Sequence, residues 1–221
     1  MKERLTEELV AMRACKELQP GDYCNLGIGT PQLCALYVTQ GIYVQTENGA
    51  LGYGPLVTAD NWQQIDTDYQ DAGGKFFTAA SGMSFFDMLT SFAMIRSGRL
   101  ISILGGLQVS QKGNLAIHST GEGDEYPQIG GSMDLAWGAK RLIVTMTHNT
   151  KDGHPKIVKE LGLPVSAQEC VDLIVTDLAV IEITDEGLVL REFAPDWTPQ
   201  EIQEQTGAQL IVAEDVKEME F

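Results

Sequence analysis

Two runs, at positions 100–104 and 142–147, consist of apolar and β-branched residues apart from Ser102, and they constrain the fold of this chain more than any other feature. Runs of this kind are typical of parallel strands that are buried on both faces of a sheet. Shorter runs of similar composition predict further strands at residues 23–29, 42–46, 75–80, 173–175, 179–183 and 188–193. Because helical patterns separate the strands, the sequence predicts an α/β fold with an open, mostly parallel central sheet flanked by helices.

Capping signals mark the helix starts. A serine or threonine followed three residues later by an acidic residue resembles a capping box, and proline is favoured at the first helical position. The predicted starts are Thr30 before Pro31, Ser84 three residues before Asp87, and Thr198 before Pro199 with Glu201 three residues on. An amphipathic pattern at 3–18 predicts one more helix, and the acidic stretch 119–128 is the most loop-like part of the chain.

Composition limits the class of protein. With 221 residues, 43% of them hydrophobic, the chain has enough apolar material for one domain spanning residues 1–221. There is no apolar run long enough for a membrane span, and the charged N-terminus lacks the apolar core of a signal peptide. We therefore expect a cytoplasmic protein.

Charge and metal-ligating residues exclude other classes. A net charge of −16 argues against nucleic-acid binding, which needs a basic surface. The four cysteines are scattered and have no histidine at metal-ligand spacing, so we expect buried structural thiols rather than a disulfide framework or a metal site. The three histidines belong to no recognisable triad, and a surface or loop position is expected for each.

Glu47 is the strongest candidate for a catalytic residue. It follows the predicted strand 42–46 directly, and open parallel sheets bind their ligands at the carboxyl ends of the strands. Glycines at positions 49, 52 and 54 would allow another molecule to approach the backbone closely. The same residues also fit a simple hairpin, because an asparagine followed by glycine is a strong turn signal.

Several glycine turns follow strands or precede helices and could offer backbone N–H donors to an anion. They lie at Gly29, at Gly105 and Gly106, and at residues 130–131 before Ser132. The spacing near Gly29 is partly that of a dinucleotide-binding loop, but Gln32 occupies the third glycine position, which disfavours NAD binding.

Together these segments resemble the beta subunit of the family I CoA-transferases, the 3-oxoacid and acetate CoA-transferases. The similarity runs from about residue 4 to the C-terminus. It rests on the order of seven segments: NLGIGTP (25–31), TENGALGYGP (46–55), SFF (84–86), SFAMIRSG (91–98), LGGLQVSQKGNLA (104–116), GGSMDLAWGAKRLIVTM (130–146) and KDGHPKIVKE (151–160).

The resemblance implies a chemistry and a site. Glu47 would be the carboxylate nucleophile that forms a glutamyl-CoA thioester, and the Gly131 N–H would stabilise the oxyanion. Asn25 would lie against CoA, and the other CoA-binding residues would be Gly29, Gly105, Gly106 and Ser132. CoA is then a substrate, with no permanently bound cofactor and no metal.

The resemblance also implies a partner and an architecture. The chain would pair with a homologous alpha subunit, as α2β2 or a larger assembly. Its central sheet would have about seven strands, in an architecture shared with sugar-phosphate isomerases.

The sequence departs from the family pattern at two places near the site. Thr46 replaces the usual serine before the nucleophile, and the loop 117–128 is acidic where relatives are rich in glycine and lysine. Two other functions remain open on these residues: a sugar-phosphate isomerase, for which no convincing acid/base pair is present, and a non-catalytic ligand-sensing or assembly subunit. The acyl donor and acceptor are not identified by the sequence.

Overall fold

A ten-stranded sheet runs through the computed structural model, which describes residues 2–125 and 127–221. A second sheet has three strands, at Gln108–Ser110, Leu115–Ala116 and Ile157–Val158. The strands, numbered along the chain, are β1 (Tyr23–Leu26), β2 (Tyr43–Thr46), β3 (Ala50–Leu51), β4 (Ser84–Phe85), β5 (Ile101–Gly105), β6 (Gln108–Ser110), β7 (Leu115–Ala116), β8 (Arg141–Met146), β9 (Ile157–Val158), β10 (Leu173–Thr176), β11 (Ala179–Thr184), β12 (Gly187–Phe193) and β13 (Leu210–Glu218).

The order of the large sheet is β13-β12-β11-β10-β8-β5-β1-β2-β3-β4. Its centre, from β2 to β10, is entirely parallel, while the flanking strands add hairpins that pair antiparallel. The predicted α/β class with a mostly parallel sheet is therefore confirmed. The expected number of seven strands is wrong, because β3–β4 and β11–β13 extend the sheet at both edges.

Five α-helices flank the sheet: α1 (Glu7–Cys15), α2 (Thr30–Leu33), α3 (Met88–Ile95), α4 (Ser132–Trp137) and α5 (Pro199–Gln205). Successive residues of β8 point to opposite faces, as the period of a strand requires. Val144 packs in one hydrophobic core cluster, which includes residues of α3, α4 and α5. Ile143 packs in the other hydrophobic core cluster, beneath α1 and α2. Both side chains are fully buried, which explains the uninterrupted apolar run at 142–147.

Three local predictions were wrong. Residues 75–80 make only isolated bridges, at Phe76 and Phe77, and form no strand. Ser84 lies in β4, so Asp87 caps α3 alone and accepts the Thr90 N–H at 2.9 Å. Helix α2 begins one residue earlier than predicted, because Gly29, with φ of 86°, occupies the cap position.

Other local predictions were confirmed. Thr198 and Glu201 form the predicted capping box of α5, and β11 and β12 form the predicted hairpin. The stretch 119–128 contains no helix or strand among its described residues, and Tyr126 lies outside them. Cys15, Cys24 and Cys34 are buried as expected, whereas Cys170 is partly exposed. Among the described residues, no helix is both long and apolar enough to cross a membrane.

His148 lies in the loop after β8, which agrees with the expectation of a surface or loop position, but it is not at the surface. Its side chain is fully buried, and its two ring nitrogens bond to the hydroxyls of Thr176 (2.9 Å) and Thr206 (2.8 Å). Burial lowers the pKa of His148 from 6.5 to about 4, although the nearby Asp177 carboxylate opposes that shift. The imidazole is therefore neutral in the folded protein at physiological pH.

We expect His148 to make the fold acid-sensitive. Between pH 6.5 and 4 the unfolded state binds the imidazole proton and the folded state does not, so stability falls as the pH falls. At about 1.4 kcal/mol per pKa unit, the loss between pH 7 and pH 5 is about 2 kcal/mol. Urea unfolding of His148→Asn should show a pH-dependent loss smaller by about that amount. The same change at the exposed His154 is the control for the substitution itself, and an identical effect of both variants would contradict this account.

Candidate active site

A cavity of about 630 Å³ opens at the carboxyl ends of the parallel strands β1, β2 and β5. Ligands bind at this edge in open α/β sheets, because the strand-to-helix loops converge there. Four segments form most of its wall: residues 25–28 after β1, Glu47 after β2, residues 104–107 at the end of β5, and residues 128–132 before and at the start of α4.

Glu47 lies in the turn that joins β2 to β3. Thr46 pairs with Ala50 across this hairpin, and the Gly49 N–H donates to the Thr46 carbonyl at 3.0 Å. The Thr46 hydroxyl accepts the Ala72 N–H at 2.9 Å, which ties the turn to a neighbouring loop. The turn that carries Glu47 is therefore both a hairpin and part of the cavity wall. The hairpin interpretation and the catalytic interpretation of this sequence are compatible.

Gly49 is required at this turn for two reasons. Its φ of 115° is rarely adopted by other residues, and a Cβ atom built on it would lie 2.1 Å from the Phe86 carbonyl oxygen. The Phe86 N–H in turn donates to the Gly49 carbonyl at 2.9 Å. The close contact fixes the hairpin that carries Glu47 against the segment that starts α3.

We expect Gly49→Ala to destabilise the protein by about 2–4 kcal/mol, as backbone strain and overpacking add. Gly82→Ala is the matched control, since Gly82 also has a positive φ (86°) but a Cβ there would meet no atom within 4 Å. It should cost only the strain, about 1–2 kcal/mol. Urea unfolding of both variants would measure the difference, and equal losses would show that the Phe86 contact contributes nothing.

The Glu47 carboxylate lies directly against Gly131. A Cβ atom on Gly131 would be 2.0 Å from the Glu47 Oε2 atom, so any side chain at this position would displace the carboxylate. Among the described residues, this carboxylate has no hydrogen bond and no ion pair. Partial burial raises the pKa of Glu47 above its usual value, and the nearby Asp134 carboxylate, itself 2.7 Å from the Arg96 guanidinium, adds to the shift.

Six of the seven predicted site residues line this cavity: Asn25, Glu47, Gly105, Gly106, Gly131 and Ser132. Gly29 does not, because it lies exposed at the start of α2, one residue beyond Ile28, which does line the cavity. Asn25 is buried, and its amide donates to Gln45. The Gln45 amide donates in turn to the Ser91 hydroxyl at 2.7 Å, so this network links β1, β2 and α3 beneath the cavity.

The sequence did not indicate that Ala72 and Gly73 also line the cavity. The Gln32 amide donates to both oxygens of Asp71, at 2.8 and 2.6 Å, and thereby holds this loop. Gln32 is the residue that occupies the third glycine position of the rejected dinucleotide motif. The useful signal was the glycine pair at 73–74, which directly precedes the predicted strand 75–80.

The cavity wall is mostly apolar and carries little charge. Among the described residues that line it, Glu47 is the only one with an ionisable side chain. No group of three or more histidine, cysteine or acidic residues in the described ranges is arranged to hold a metal ion. What the wall does offer is one carboxylate among glycine-rich backbone segments.

Comparison with known proteins identifies the family. The coenzyme A transferase family profile matches residues 8–205. The B subunit of the 3-oxoadipate CoA-transferase of Acinetobacter baylyi is 42% identical over 213 residues, covering 95% of this chain and 97% of the relative. The beta subunit of the acetate CoA-transferase of Escherichia coli K12 is 38% identical over 213 residues, covering 95% of each chain.

Solved structures share the fold at low sequence identity. An acyl-CoA transferase from E. coli O157:H7, solved as a thioester complex with CoA, superposes with a TM-score of 0.74 at 21% identity; the match covers all of this chain but 44% of that one. Glutaconate CoA-transferase from Acidaminococcus fermentans superposes with a TM-score of 0.67 at 17% identity, covering 98% of this chain and 89% of that one. The chain therefore belongs to the coenzyme A transferase family, and its near-full-length relatives there include B and beta subunits.

Proposed function

We propose that this chain is the catalytic beta subunit of a CoA-transferase and that Glu47 carries CoA as a glutamyl thioester. The observation that supports the proposal best is the Glu47 carboxylate itself. It faces a cavity of about 630 Å³ and has no hydrogen-bond partner among the described residues. It lies against Gly131, which has no side chain to block the approach of a substrate to the carboxylate. Its raised pKa makes it a stronger nucleophile once it is ionised.

The reaction proceeds as a double displacement. The Glu47 carboxylate attacks the thioester carbonyl of the acyl-CoA, and the C–S bond breaks to give an acyl-glutamyl anhydride and the CoA thiolate. The thiolate then attacks the glutamyl carbonyl, which releases the first carboxylate and leaves a glutamyl-CoA thioester. A second carboxylate reverses both steps, so that CoA leaves on the new acid and Glu47 is regenerated.

Each displacement passes through a tetrahedral oxyanion. The Gly131 N–H donates to no acceptor among the described residues, and Gly131 lies beside the Glu47 carboxylate. It is therefore suited to bind the oxyanion, an interaction that contributes about 2.7–4 kcal/mol in a well-measured reference enzyme. The glycine turn at Gly105 and Gly106 and the Ser132 hydroxyl line the same cavity and are assigned to CoA binding, as is Asn25.

An alpha subunit completes the site in this proposal. The wall of the cavity has no cationic side chain among its described residues, whereas CoA carries several phosphate charges. The whole chain has a net charge of −16, which adds to the need for positive charge from a partner. The relatives that are named as B and beta subunits support such a pairing, and α2β2 is the simplest assembly.

The acids exchanged are short-chain or 3-oxo carboxylic acids. The names of the relatives include 3-oxoadipate, acetate and succinyl-CoA:3-ketoacid CoA-transferases, which span this range.

A half-reaction tests the proposal. The co-purified alpha and beta subunits are mixed with one acyl-CoA and no acceptor acid. We expect about one equivalent of free acid per beta subunit, and a beta subunit heavier by CoA minus one water in intact-mass analysis. Addition of a second acid should restore the original mass. Binding of acyl-CoA without acid release would favour the ligand-sensing role instead.

A further inference from the structure

The two residues that flank Glu47 are both bonded to the same neighbouring loop. The Thr46 hydroxyl accepts the Ala72 N–H at 2.9 Å and donates to the side-chain oxygen of Asn48 at 2.9 Å. The Asn48 amide donates in turn to the Gln70 carbonyl at 2.9 Å. The turn that carries Glu47 is therefore fixed on both sides of this residue.

A buried carboxylate, Asp71, organises this loop, which spans residues 70–75. Asp71 is 7% exposed, and its Oδ1 atom accepts the backbone N–H groups of Gly73 (3.0 Å) and Lys75 (2.8 Å). These two bonds close the loop around the side chain. Without the carboxylate, both backbone donors would lose their acceptor, and backbone N–H groups rarely stay unpaired inside a folded protein.

Helix α2 supports the loop from the other side. The Gln32 amide is also buried, and it donates to both Asp71 oxygens at 2.8 and 2.6 Å. It packs closely against the loop, since a Cβ atom on Gly73 would lie 2.5 Å from the Gln32 Nε2 atom. A chain of contacts thus runs from α2 through Asp71 to the turn of Glu47.

We propose that Asp71 is a positioning residue for Glu47, an inference that rests on the proposed function. Its carboxylate shapes the loop, and the loop sets the backbone on either side of Glu47 through Ala72 and Gln70. The Glu47 side chain is thereby held beside Gly131. Since a displacement of about 1 Å in a reacting group costs about 10²-fold in rate, this support contributes to the reaction and not to folding alone.

Two substitutions of Asp71 separate geometry from charge. Asp71→Ala removes the acceptor for both backbone N–H groups, so the loop and the turn of Glu47 should shift. Asp71→Asn keeps that acceptor but loses the charge, and its amide can donate to the Gln32 side-chain oxygen once the Gln32 amide has turned over. Asp66→Ala is the matched control, because the Asp66 carboxylate also accepts a backbone N–H, that of Asp68 at 3.0 Å, but is exposed.

Steady-state transfer and thermal unfolding are measured for each full-length alpha–beta complex. We expect Asp71→Ala to lower kcat by about 10²-fold, with the KM for acyl-CoA within about threefold of wild type. Asp71→Asn should keep kcat within about fivefold, and Asp66→Ala should match the wild type. Unchanged kcat in a folded Asp71→Ala complex would overturn the proposal. An equal loss in Asp71→Asn would also overturn it, because the effect would then come from the charge.

Asn48→Ala tests the same proposal if Asp71→Ala does not fold. Asn48 is exposed, so its truncation should cost little stability, but it removes the bond to the Gln70 carbonyl. We expect kcat to fall by about tenfold with KM nearly unchanged. A kcat equal to that of the wild type would contradict the positioning of Glu47 by the loop.

A measurement without catalysis separates this inference from the proposed function. A water-soluble carbodiimide and an amine modify accessible carboxyl groups, and peptide mass spectrometry follows the rate at Glu47. Asp71→Ala and Asn48→Ala should both react faster there than the wild type, because the carboxylate leaves its partly buried position. Equal labelling rates in all forms would contradict the positioning role. A wild-type complex that shows these differences but transfers no CoA would contradict the proposed function alone.

Discussion

Replacement of Glu47 by glutamine should lower kcat of the assembled enzyme by at least about 10⁴-fold, the scale on which loss of a covalent nucleophile is felt. The amide keeps the size and shape of the side chain but cannot attack a thioester. Steady-state transfer between an acyl-CoA and an acceptor acid would measure the effect. Glu47→Asp keeps the carboxylate but withdraws it from the Gly131 contact, and it should retain part of the activity, since misplacement by about 1 Å costs about 10²-fold.

The stability of Glu47→Gln separates lost chemistry from a lost fold. Because the pKa of Glu47 is raised in the folded state, the unfolded chain gives up this proton first as the pH rises, and ionisation destabilises the native protein at neutral pH. Glutamine removes that cost, so the melting temperature at pH 8 should be equal to or higher than that of the wild type. Asp134→Asn, at the other carboxylate nearby, should keep kcat within about tenfold. Retention of more than about 1% activity by Glu47→Gln would contradict the nucleophile assignment.

Gly131→Ala should have the next largest effect, a fall in kcat of about 10²–10³-fold with little change in stability. Its φ of −69° suits any residue, so the substitution brings no backbone strain. The new methyl group would lie 2.0 Å from the Glu47 Oε2 atom and 2.8 Å from its Cδ atom, and the carboxylate must therefore move. The substitution should therefore lower kcat and leave the free energy of unfolding nearly unchanged.

Gly130→Ala is the matched control for this prediction. Gly130 is the preceding residue and lines the same cavity, but a Cβ atom built on it meets nothing within 4 Å. Its kcat should stay within about fivefold of wild type, because the carboxylate keeps its position. Equal kcat values for Gly131→Ala and wild type would show that the Glu47–Gly131 contact does not position the nucleophile.

The parts of the fold that were predictable are those governed by local pattern. The run at 142–147 is apolar or β-branched throughout because β8 buries both faces, and the capping box at Thr198 forms within four residues of chain. The position of Glu47 at the ligand-binding edge was predictable because it directly follows a strand of a parallel sheet. Its role as the nucleophile was inferred from the family resemblance. Its neighbour Gly131, 84 positions later in the chain, was assigned through family resemblance alone.

The parts that were not predictable depend on contacts distant in sequence. His148 is buried because hydroxyls of Thr176 and Thr206 satisfy both ring nitrogens, and no local pattern reveals those partners. Residues 75–80 have strand-like composition but find only isolated bridges. Leu89 is an apolar residue in an apolar helix yet is 85% exposed, because the buried side of α3 is formed by Ser91 and Ile95.

The central claim is that CoA is carried on Glu47, and chemical trapping of the intermediate tests it most directly. The alpha–beta complex is incubated with acyl-CoA, treated with borohydride and digested, and the peptides are mapped by mass spectrometry. Borohydride reduces a thioester to an alcohol, so the peptide containing Glu47 should lose one oxygen and gain two hydrogens. That change should be confined to this residue and depend on acyl-CoA. An unmodified Glu47 in a folded complex that binds CoA would contradict the account.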